Sequence, residues 1–123
     1  MYNEVPRKIR ANMKKAAAIL SSHKCAVDTM LISKGKDFHK YQPYPQPEKK
    51  PVKQVPAERL EELSHAFQEA YDALKKEGLQ LLVCFVSLNE GGASVFVAED
   101  AVNHRLEVFK ELERMEEHHA KIS

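Results

Sequence analysis

The side chains able to do chemistry are few and scattered along the chain. Two Glu-x-x-His pairs, Glu62/His65 and Glu116/His119, have the spacing that places two metal ligands on one helix face. A di-metal carboxylate centre needs two such pairs pointing inward plus two more glutamates. Glu62 and His65 instead fall opposite the apolar stripe of their segment, toward water. In a chain this rich in glutamate, two such pairs arise by chance. His23 with Cys25, and His118 beside His119, lack partners at zinc-ligand spacing. Cys25 and Cys84 are the only cysteines, and each sits in an apolar run where a thiol packs rather than attacks. Asp28 would hold its proton more tightly if buried, but a lone acid makes no catalytic pair. Gly91-Gly92 precedes strand-like residues where a phosphate loop needs a helix, and no Gly-x-Ser-x-Gly elbow occurs. The expectation is a non-catalytic protein with no cofactor and no metal.

Binding chemistry is better represented. The net charge of +1 hides a division: residues 1–54 carry 12 Lys/Arg against 4 Asp/Glu, and residues 55–123 carry 7 against 14. The basic half combines Arg7, Arg10, Lys14 and Lys15 with a later run holding Lys40, Tyr41 and Tyr44. Cations for phosphates interleaved with aromatics for bases are the elements of single-strand nucleic-acid binding. The same residues also serve a basic helix with a solvated face and a strap pinned to its own domain by its aromatics. That second account, with the charged halves facing each other, is the one adopted here.

These groups need a framework, and its centre is Leu79 to Ala98. Two apolar runs, Leu81–Leu88 and Ala93–Ala98, flank Asn89-Glu90-Gly91-Gly92, the pattern of a β-hairpin with a four-residue loop. Leu81, Val83 and Phe85 point one way and Leu82, Cys84, Val86 and Leu88 the other, so both faces need covering. Cys25–Ser33 reads as a third strand, placed at the sheet margin because Asp28 would be costly at the centre. Val5 to about Ser22 is an amphipathic helix with Tyr2, Val5, Ile9, Met13, Ala16 and Leu20 on its apolar side. Pro56–Glu77 is a second, with Leu60, Leu63, Phe67, Ala70, Tyr71 and Leu74 as its stripe and Gly78 at its end. A third runs from an Asp100 N-cap to about Lys121, carrying Ala101, Val102, Leu106, Val108, Phe109, Leu112 and Met115. Between them, residues 34–56 form a proline-rich strap, too proline-dense for helix.

The expected fold is therefore a single α+β domain over residues 1–123. It has a three-stranded, mostly antiparallel sheet packed with three helices in the order α-β-α-β-β-α. No apolar run reaches the length of a membrane span or a secretory core, and the cysteine usage suits reduced thiols in the cytoplasm. The leading functional expectation is a small binding or regulatory protein working through protein contacts, as a homodimer and with room for another protein. A hairpin greasy on both faces motivates this, together with Arg105, Phe109, Glu116 and His119, which extend an apolar helix face with charge. The alternative is a nucleic acid or small anion bound by Arg7, Arg10, Lys14, Lys15, Lys40, Tyr41 and Tyr44.

Overall fold

The computed structural model describes residues 5–43 and 53–122, with side chains as far as Arg114. Four strands, β1 (Cys25–Lys34), β2 (Asp37–Tyr41), β3 (Gln80–Leu88) and β4 (Ala93–Val97), form one antiparallel sheet in the order β2-β1-β3-β4. The helices are α1 (Arg7–Ser21), α2 (Ala57–Lys75) and α3 (Arg105–Ile122), the last preceded by a short 3-10 helix, Glu99–His104. The α+β class holds, with two corrections. The sheet has four strands, because residues 37–41 of the expected strap pair with β1 across a tight turn at Gly35 (φ 60°). That same pairing moves β1 from the margin to the interior, between β2 and β3. Asp28 is tolerated there because it sits at a bulge, where the register skips between Val27 and Thr29.

Alternation along the strands shows which layer covers which face. Phe96 stacks on Phe67 of α2, with ring centroids 5.9 Å apart, and lies opposite Cys84. Cys84, Phe96 and, across β1, Met30 thus share the face on which α1 and α2 lie. Val83, opposite both Leu31 and Val97, belongs to the other face. Leu31 and Val83 are completely buried all the same. Their cover comes from Ala101, Val108 and Leu112 of the 3-10 helix and α3, while Phe38 of β2 meets His104 edge-on at 5.3 Å. The apolar hairpin is therefore sandwiched, as its two greasy faces require. The sandwich is incomplete at one side: β4 leaves Val95 and Val97 exposed on the α3 face.

Local signals set the ends of the elements. Pro6 and Pro56 precede α1 and α2, where a missing N–H costs no helical bond. After α2 the chain reverses through Gly78 (φ 74°), with the Leu79 N–H donating back to the Leu74 carbonyl. The expected Asp100 cap does not form. Asp100 lies inside the 3-10 helix, which Ala98 precedes without a side-chain cap, and its carboxylate is taken by Tyr71.

Candidate functional site

Most of the polar chemistry suggested by the sequence is spent on holding the fold. Glu62 does not reach toward His65. Its carboxylate lies 2.9 Å from His23 Nδ1 and 3.1 Å from Arg59 Nη1, while His65 is largely exposed and 3.9 Å from Glu61. Arg59 is the centre of this clasp. Its Nε donates to Glu90 in the hairpin loop at 2.8 Å, and its Nη2 donates to the Lys24 carbonyl at 2.7 Å. One guanidinium thereby joins α2 to the β3–β4 loop and to the turn entering β1, where Lys24 has φ 62°. Hydrogen bonds from His23 and Arg59 hold the Glu62 carboxyl below its ordinary value, and Arg59 does the same to Glu90. Both folded values lie below the ordinary 4.5, so the stabilisation is complete above that pH and is lost as the pH falls further. Arg59→Ala should cost about 2 kcal/mol in urea unfolding at pH 7. Its deficit relative to the native protein should shrink on acidification to pH 3.

The other candidate groups are equally committed. Cys25 donates its thiol to the Leu20 carbonyl at 3.0 Å, and burial pushes its pKa up to about 11. Burial likewise raises that of Cys84. Both are free thiols, and the register sets Cys25 opposite Leu88 and Cys84 opposite Met30, so the two are not cross-strand partners. Asp28 is buried in the sheet. Among the described residues no three His, Cys, Asp or Glu side chains converge. Tyr71 donates to Asp100, which raises the phenol to about 12 and depresses the carboxyl. That bond ties α2 to the 3-10 helix behind β4. Glu111 of α3 is buried on its side of the sheet and paired with Arg114.

What the fold leaves unspent is apolar surface. Val95 (41% exposed), Val97 (46%), Val102 (63%), Leu106 (70%) and Phe109 (59%) are the large hydrophobic residues most open to water among those described. They fall on β4 and on the elements that follow it, and Arg105 is exposed between Val102 and Leu106 in the sequence. The expected stripe of the last helix is thus divided. Ala101, Val108 and Leu112 face the sheet, whereas Val102, Leu106 and Phe109 do not. Of the residues expected to contact a partner, Arg105 and Phe109 are on this exposed side, and the side chains of Glu116 and His119 lie outside the described residues. Sequence periodicity missed Val95 and Val97 as surface residues, since nothing in the run Ala93–Ala98 distinguishes an edge strand from a buried one.

A groove of about 550 Å³ runs between α2 and the end of β4. Its α2 wall is Ser64, His65, Phe67, Gln68 and Tyr71, with Glu99 and Asp100 at one end. The basic residues gather elsewhere. Arg7, Arg10, Lys14 and Lys15 are all exposed along α1, whereas Lys40 and Tyr41 are half-buried on β2 and Tyr41 packs against the core. Tyr44 lies outside the described residues. No described helix is long and apolar enough to cross a membrane. Compared with protein-family models, with curated proteins and with solved structures, the chain matches none of them.

Proposed function

We propose that this chain is a small non-catalytic binding or regulatory protein that acts through protein contacts and works as a homodimer in the cytoplasm. The observation that carries the reading is the exposed set Val95, Val97, Val102, Leu106 and Phe109 beside a core that buries Leu31, Leu81, Leu82 and Val83 completely. Full burial of such a side chain is worth up to about 1.5–3 kcal/mol, and these five are 41–70% exposed, so the set favours a protein partner. Glu62, singled out by its spacing from His65, is tied into the Arg59 clasp, and the Cys25 thiol donates to the Leu20 carbonyl. Light scattering over a wide concentration range tests the reading. The expected mass is twice the 14.0 kDa of the chain. A strict 14.0 kDa species at every concentration, with no protein partner captured on this surface, would contradict it.

A second reading has its own observation. Arg7, Arg10, Lys14 and Lys15 are exposed on α1, and none of them forms an ion pair with a described residue. Four such cations suit a phosphate-bearing ligand, nucleic acid included, whose binding weakens steeply with salt. Retardation of single- or double-stranded oligonucleotides at low salt supports this alternative, and indifference to all of them removes it for polymers.

A further inference from the structure

The geometry points to the free edge of β4 as the surface through which two copies join, strand to strand, into one eight-stranded antiparallel sheet. This rests on the homodimer reading above and specifies where the copies meet. The hydrogen-bonding direction of β4 can be read from its ends. Leu88 N–H donates to the Gly92 carbonyl and Ala98 N–H donates to the Leu82 carbonyl, so even-numbered residues turn their amides inward to β3. Backbone groups alternate along a strand, so Ala93, Val95 and Val97 turn both N–H and C=O outward. These outward groups are symmetric about Val95. A two-fold axis there pairs Val95 with its own copy and Ala93 with the copy's Val97, each as a hydrogen-bonded pair. Five residues are thus enough to build a closed, self-complementary ladder.

The side chains agree with that register. Antiparallel pairing about Val95 sets Ser94 opposite the copy's Phe96 and Ala93 opposite Val97, so no charge meets a like charge. Val95, exposed in one chain, would lie against the copy's Val95, and the exposed Val97 against the copy's Ala93. On the opposite face, the α2 wall of the adjoining groove carries Ser64, His65 and Gln68, and the groove's carboxylates, Glu99 and Asp100, lie at one end beyond β4. The defences that keep sheet edges apart are missing from β4: it has no lysine, no proline and no bulge. The other edge, β2, carries Asp37 and Lys40, so the two edges are not equivalent. A second copy of this chain fits the β4 edge in hydrogen bonding and side-chain size, and no charge lies within β4 itself.

Val95→Pro tests this directly. The Val95 N–H points away from β3, so proline there removes no bond of the β3–β4 ladder but removes both bonds of the central intermolecular pair. The expected result is a chain with native circular dichroism whose dimer dissociation constant rises at least about 100-fold. Val95→Lys, which places like charges opposite each other at the axis, should weaken the dimer in a salt-dependent way. It gives a second measurement if the proline variant fails to fold. A native dimer that both folded variants leave intact would overturn the β4 interface while leaving the homodimer reading standing. A native protein that is monomeric at all concentrations would overturn both.

Discussion

Leu31→Ala and Leu82→Ala are each expected to destabilise the protein by about 3–4 kcal/mol, measured by urea unfolding at pH 7. The two side chains are equivalent in size and both completely buried, but they sit on opposite faces of the sheet. Leu82 alternates with Cys84 and Val86 toward α1 and α2. Leu31 lies opposite Val83, under the 3-10 helix and α3. If the α3 layer were loosely seated, Leu31 would be partly wet in solution and its truncation would cost about 1 kcal/mol or less. Equal and large losses are therefore the signature of a sheet closed on both sides. Against the 5–15 kcal/mol typical of a domain, either loss is a substantial part of the total.

The second large effect lies at a single glycine. Gly92 closes the β3–β4 hairpin at φ 89°, and a β-carbon added there would stand 2.8 Å from the Lys53 carbonyl oxygen. The obstacle is backbone, because the chain approaching α2 runs over the hairpin loop with Val55 packed beside it. Gly92→Ala thus meets backbone strain and a clash together, and about 3 kcal/mol of destabilisation is expected. In thermal unfolding this corresponds to a fall in Tm of roughly 12 °C. Gly35→Ala supplies the contrast. It shares a positive φ of 60° but has open space around its missing side chain, so only the conformational cost applies, about 1 kcal/mol. A Gly92→Ala loss no larger than that of Gly35→Ala would show that the strap does not bear on the hairpin.

The strong periodicities were legible in the sequence, and the weak ones were not. The hairpin, its loop at residues 89–92 and the stripes of α1 and α2 could be read because many apolar side chains repeat at a constant step. Strand β2 could not be read that way. Asp-Phe-His-Lys-Tyr has little apolar content, and the prolines beyond it suggested a strap. The two residues between Lys34 and Asp37, with Gly35 in the turn, were the available sign of a hairpin. Asp28 is what placed β1 at the margin, because a bulge, which relieves a polar residue inside a sheet, has no sequence signature of its own, and without β2 no further strand stood beside it.

The candidate surface was legible only in part. Arg105 and Phe109 could be singled out on a helix whose apolar arc is broader than its core contact. The exposure of Val95 and Val97 depends on which strand lies at the edge, a property of topology rather than of the residues themselves. The Arg59 clasp was invisible for a similar reason. Arg59 meets Lys24 and Glu90, 35 and 31 residues away in sequence, through the packing of three separate turns.

Amide hydrogen exchange of the native protein along β4 tests the central claim most directly. If two copies share this edge, the outward amides of Ala93, Val95 and Val97 will be protected at high concentration much like the inward amides of Ser94 and Phe96, and that protection will fade on dilution. Outward amides that exchange at the rate of an open edge at every concentration would contradict the account.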